Sequence, residues 1–92
     1  MTKLLPKSGY GLQLFAAHQR QRLRRFVAEH QFSQPIRSAV VRRDGQTWHI
    51  LLYGNYASRM AAEVAKDDLA PSLQKLHPWV RSFASLYGRK AL

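Results

Sequence analysis

The stretch "RRDGQTWHILLYGNYAS", Arg42–Ser58, decides the fold. Asp44-Gly45 signals a two-residue hairpin, because a type I′ turn needs positive φ at both central positions and this pair accepts it. With that turn, Arg43 opposes Gln46, Val41 opposes Trp48 and Ala39 opposes Ile50. Opposed residues share a side of the sheet. One side therefore carries Ala39, Val41, Trp48, Ile50 and Leu52, and the other Ser38, Val40, His49, Leu51 and Tyr53. A slip of one residue would exchange the two sets. A strand wetted on one side is apolar on the other only, yet this one is apolar on both. Each side needs a cover or a ligand.

Working outward, "IRSAVVRR" (Ile36–Arg43) and Gln46–Tyr53 are the two hairpin strands, with Gly54 ending the second. Upstream, "YGLQLFA" (Tyr10–Ala16) alternates and reads as a first strand, with Leu12 and Leu14 on one side and Gln13 and Phe15 on the other. From Ala17 to His30 the period changes to helical: Leu23, Phe26 and Val27 turn inward, and Arg20, Arg22, Arg24 and Arg25 mostly outward. Pro35 breaks that helix, and Phe32 packs beneath its end. Downstream, Ser58 is an N-cap for a helix over Arg59–Asp68, with Met60, Ala61, Val64 and Ala65 inward. Pro71 opens a short third helix, and "WVRSFAS" (Trp79–Ser85) reads as the last strand. The order β-α-β-β-α-β predicts an α+β, ferredoxin-like (RNP-like) fold, a four-stranded antiparallel sheet with both helices on one face.

Ninety-two residues make one domain. The pattern divides it into a linker over residues 1–8, a folded unit over 9–85 and a basic tail over 86–92. Fifteen Lys and Arg against five Asp and Glu give a net charge of +10, which favours anionic partners. The absence of cysteine excludes disulfides and thiolate metal sites. No apolar run approaches the roughly 18 residues of a membrane span, and "MTKLLPKSG" lacks a signal-peptide core. A cytoplasmic protein fits these features, and so does an excised piece of something larger.

The helix-free face presents Trp48, Ile50 and Leu52, with Val41 beside them and Gln13 and Phe15 from the first strand. A contiguous exposed apolar patch marks a binding surface. Flat rings next to an amide suit a polymer that both stacks and hydrogen-bonds. Two other covers compete with a ligand: the C-terminal segment folding back with Trp79 or Tyr87, or a second copy of the chain.

"YGLQLFA" followed by a helix, then "DGQTWHILLYGNYASRMAAEVA", resembles the SPOR domain family. "LHPWVRSF" is similar to the end of the SPOR domain of a cell-division protein. The resemblance implies a non-catalytic module, without cofactor or metal, that binds peptidoglycan glycan strands stripped of their stem peptides. It also implies a periplasmic domain of a single-pass inner-membrane protein acting at the division septum, with other division proteins as further partners. Carried onto this chain, the family's amide falls on Gln13, its sheet tryptophan on Trp48, and the tryptophan opening the last strand on Trp79. Phe15 stands where the family has Gly or Ser, and Ala16 where it has Ser.

The rival reading is an RRM-like domain that stacks single-stranded RNA on the same sheet face. The charge favours it. The sequence "TWHILLYG", with one ring on that face, does not match the aromatic-rich RNA signature. An enzyme is disfavoured. His18, His30, His49 and His77 lack metal-ligand spacing, and Asp67 and Asp68 are adjacent, so on a helix they diverge.

Overall fold

The computed structural model describes residues 5–87; residues 1–4 of the expected linker and 88–92 of the expected tail lie outside them. The elements are β1 (Tyr10–Ala17), α1 (Arg20–Glu29), β2 (Ile36–Arg43), β3 (Gln46–Tyr56), α2 (Arg59–Asp67), α3 (Pro71–Gln74), β4 (Trp79–Ser82) and α4 (Phe83–Tyr87). All strand pairs are antiparallel, in the order β2-β3-β1-β4. This is the expected β-α-β-β-α-β sheet, with one helix more than expected.

The hairpin forms in the register that the Asp-Gly turn dictates. Asp44 and Gly45 have φ of 53° and 78°, and Val41 pairs with Trp48 and Ala39 with Ile50. The sides of the sheet follow. Leu51 packs on Leu23 and Phe26 of α1. Leu12, Leu14 and Tyr53 pack with Ala62, Leu69 and Leu73 from α2 and its continuation. β3 runs past Gly54 to Tyr56, because Gly54 takes φ 75° and its N–H donates to the Pro35 carbonyl at 2.9 Å.

Three further expectations are corrected. Met60 and Val64 face solvent, 76% and 64% exposed, and Ala61 is exposed too. Ser58 does cap α2, accepting the Ala61 N–H at 3.1 Å, and this start places Ala62 inward. The small Ala62 lets the helix approach the sheet closely, while Leu69 and Leu73 beyond it supply the buried area.

Phe15 is the second correction. β1 carries an irregularity between Gln13 and Phe15, so Gln13 pairs with Leu52 but Phe15 with Leu51. An extra residue in one strand breaks strict alternation. Phe15 thereby turns to the helix side and stacks on Phe26 at 4.3 Å between ring centres. Ala16 takes the other face, against Ile50.

The third concerns the face expected to be free of helices. β4 stops at Ser82, and the chain turns into α4. Ser82 Oγ accepts the Ser85 N–H, and Ser85 Oγ donates to the Ser82 carbonyl at 2.8 Å, a local cap that starts the turn. Phe83 and Leu86 then pack on Val41, Ile50 and Leu52, with Leu5 beside them. The C-terminal segment does fold back over this face, through Phe83 and Leu86. Gly11 makes room, since a Cβ there would sit 2.8 Å from the Phe83 ring. Leu86, expected in the tail, is part of the core.

Candidate functional site: an open groove on the sheet

α4 covers only part of the face. Beside it lies an open groove of about 450 Å³, within the range that holds small ligands. Gln13, Ala16, Val41, Trp48, Ile50 and Trp79 line it. The pairing explains why they meet. Gln13 on central β1 lies beside Trp79 on β4, while Ala16 faces Ile50 on β3, and Val41 on β2 faces Trp48. Ile50 and Val41 are buried and form the floor. Trp79, 47% exposed, forms one wall. Of the expected site residues, Leu52 lies in the core with Phe83, and Phe15 lies across the sheet.

Four groove residues come in addition: Arg43, Asp44, Gln46 and Arg81. Arg81 is two residues beyond Trp79 on the same strand, so whichever face Trp79 takes, Arg81 shares it. That spacing was the available signal. Arg81 Nη1 donates to Gln13 Oε1 at 2.8 Å, and its guanidinium carbon lies 4.7 Å from the centre of the Trp79 ring. The bond engages the Gln13 carbonyl, so the amide offers a ligand its NH2 donors first.

Trp48 is braced from behind the turn. The His18 ring lies 3.7 Å from it, centre to centre, and the His18 Nδ1–H donates to the Thr47 carbonyl at 3.0 Å. A ring held this way loses little freedom when a ligand lies against it. His18 entered the sequence reading only as a non-metal histidine. Its pairing with Trp48 follows from β1 extending to Ala17, opposite His49.

A larger cavity of about 690 Å³ lies on the helix side, between α2–α3 and the loop after α1. It is lined by Phe32, Tyr53, Tyr56 and Leu69, with Asp68 the one charged group among the described residues that line it. The Ser33 and Tyr53 hydroxyls bond each other at 3.0 Å. Burial, and then the neighbouring Tyr53, hold the Tyr56 phenol above its ordinary value, so it stays neutral near neutral pH. The sheet groove differs in offering two tryptophans, an amide and guanidinium groups together.

No helix among the described residues is long and apolar enough to cross a membrane. The family model described as "SPOR domain" matches residues 6–82. The chain is also 38% identical over 76 residues to the cell division protein DamX of Serratia marcescens; the match covers 83% of this chain and 35% of that protein. The chain thus spans about a third of the length of the relative that it matches. The strand order, the "QL" pair of β1 and the Trp48 strand all fall within the matched residues, and the chain belongs to the SPOR domain family.

Proposed function

We propose that the domain is a non-catalytic peptidoglycan-binding module that reads septal glycan strands lacking stem peptides. The observation that carries this is one open groove lined together by Trp48, Trp79 and Gln13. Amino-sugar rings have apolar C–H faces and polar rims. The tryptophans lie against the faces, where a rigid ring gives contact area at small entropic cost. The Gln13 NH2 meets an N-acetyl carbonyl. Stacking and hydrogen bonding need no proton transfer, so the groups suffice as they stand. On this reading the domain is the periplasmic part of a protein with one inner-membrane span, acts at the division septum, and has other division proteins as partners. Family membership and the similarity to a cell division protein support it.

Sedimentation with insoluble sacculi tests the proposal. At about 0.15 M salt, where loose charge attraction is partly screened, more domain is expected to sediment with amidase-stripped sacculi than with intact ones. Equal retention on both, abolished by salt, would sink it and direct the search to single-stranded RNA. The turn of Phe15 toward α1 weakens that rival, because it takes the first-strand ring away from the face on which bases would stack.

Ala16 offers a second test. The family's hydroxyl is missing here, and because Phe15 lies across the sheet, no ring replaces it in the groove. Ala16 is half-buried, so one added oxygen is tolerated. Ala16→Ser is expected to strengthen retention on stripped sacculi by about three- to tenfold, the worth of one hydrogen bond. Unchanged or weaker retention would show that the register of sugars leaves this position uncontacted.

A further inference from the structure

We propose that Arg81, assisted by Arg43, reads the carboxylate that a glycan strand gains when its stem peptide is removed. The inference rests on the glycan reading above and names what makes the groove selective. In peptidoglycan each stem peptide hangs by an amide from the lactyl carboxyl of a muramic sugar. Hydrolysis of that amide breaks the C–N bond and takes up one water. The lactyl group is left as a carboxylate, and the peptide departs with the amine. A neutral amide has become an anion, once per disaccharide.

Trp48, Trp79 and Gln13 contact features that stripped and intact strands share: ring faces and N-acetyl groups. They confer affinity without distinguishing the two. Discrimination needs a group that answers to what changes. Among the described residues the groove is lined by two guanidinium groups, Arg43 and Arg81, and by the carboxylate of Asp44. Arg81 contacts two of the sugar-reading residues, bonded to Gln13 at 2.8 Å and with its guanidinium carbon over the Trp79 ring at 4.7 Å. Its guanidinium is therefore held at the groove before a ligand arrives, and a planar fork matches a carboxylate in a way an ammonium does not. Because Arg81 is tied to Gln13, an N-acetyl group on the amide and a carboxylate on the guanidinium would be neighbours on one strand. Arg43, exposed at the hairpin end, adds attraction without a fixed geometry.

The test uses glycan strands from amidase-stripped sacculi in two forms. One keeps its lactyl carboxylates. In the other they are converted to neutral methylamides with carbodiimide and methylamine. Wild-type domain is expected to bind the methylamide form about tenfold more weakly at about 0.15 M salt, the worth of one charge-assisted hydrogen bond in a wetted groove. Arg81→Gln is expected to lose most of the preference and keep at most the small part, about twofold, that the unfixed charge of Arg43 supplies. Arg81→Lys keeps the charge without the fork and is expected to retain part of the preference, which guards against a Gln variant that misfolds. Arg24→Gln removes the same charge from the exposed face of α1, on the other side of the sheet, and is expected to keep the preference whole. Equal wild-type binding to both forms, with stripped strands still preferred over intact ones, would overturn the proposal while leaving the glycan reading in place: bulk alone would then discriminate. Arg81→Gln with an undiminished preference would also overturn it. Binding to neither form would remove the glycan reading and this inference with it.

Discussion

Phe83→Ala is expected to cost the domain about 3–5 kcal/mol, the usual toll of deleting a fully buried phenylalanine. Phe83 is 0% exposed and packs on Val41, Ile50 and Leu52 together with Leu86. The guanidinium of Arg37 lies 5.9 Å from its ring centre, with Nε and Nη1 buried and without a hydrogen-bond partner among the described residues. Removing the ring leaves a cavity over the sheet and takes the face of the ring from that cation. Small domains hold only about 5–15 kcal/mol in total, and at this size each kcal/mol moves the melting point by roughly 4–8 °C. A fall of roughly 15 °C or more in a thermal melt is the expected reading. A loss below about 1 kcal/mol would show that α4 merely rests on the sheet and could lift from it. The large value would mean that the face beneath α4 is core, and that a ligand has only the groove beside it.

The same helix shows where the sequence was legible and where it was not. The hairpin register could be read because Asp44-Gly45 is a local, nearly sufficient signal, and from it came the side of every residue on β2 and β3. The side of Phe15 could not be read so. An irregularity in β1 depends on what Phe26 offers across the helix, and that is tertiary information. "WVRSFAS" alternates well enough to pass for a strand throughout. The signs of its true end were the Ser82 and Ser85 pair and the spacing of Phe83 to Leu86, too short for periodicity to speak. In α2 the apolar residues Met60 and Val64 invited burial, while the small Ala62 took it, because closeness to the sheet outweighed side-chain size. Of the groove, Trp48 and Gln13 were visible as types that suit a polymer that stacks and hydrogen-bonds, while Trp79 entered as a site residue through the family resemblance. Arg81 and His18 matter through the neighbours to which they are fixed, and pairing alone reveals those.

Trp48→Ala is expected to weaken retention on stripped sacculi by about thirtyfold or more. An aromatic anchor set against a braced neighbour ranks among the groups whose truncation costs about 2 kcal/mol or more in binding. His18 at 3.7 Å already holds the ring, and Val41 and Ile50 pack against it, so a stacking ligand would meet a surface that needs no ordering. The ring is half-buried, and its loss will also cost some stability. Two controls separate the effects. Retention is compared well below the melting point of the variant, and Trp48→Phe, which keeps a smaller ring, is expected to fall between wild type and alanine. Salt tells the mechanisms apart. A cation-driven association with an anionic polymer would survive Trp48→Ala at low salt and vanish for both proteins as salt rises. Stacking on a sugar predicts the reverse: a wild-type retention that persists at about 0.15 M salt, and a variant that is weak at every salt. If Trp48→Ala held its ligand within about threefold of wild type while folded, the groove would not be the site. The net charge of +10, to which α1 and the hairpin contribute seven arginines, would then be the better guide to what this domain binds.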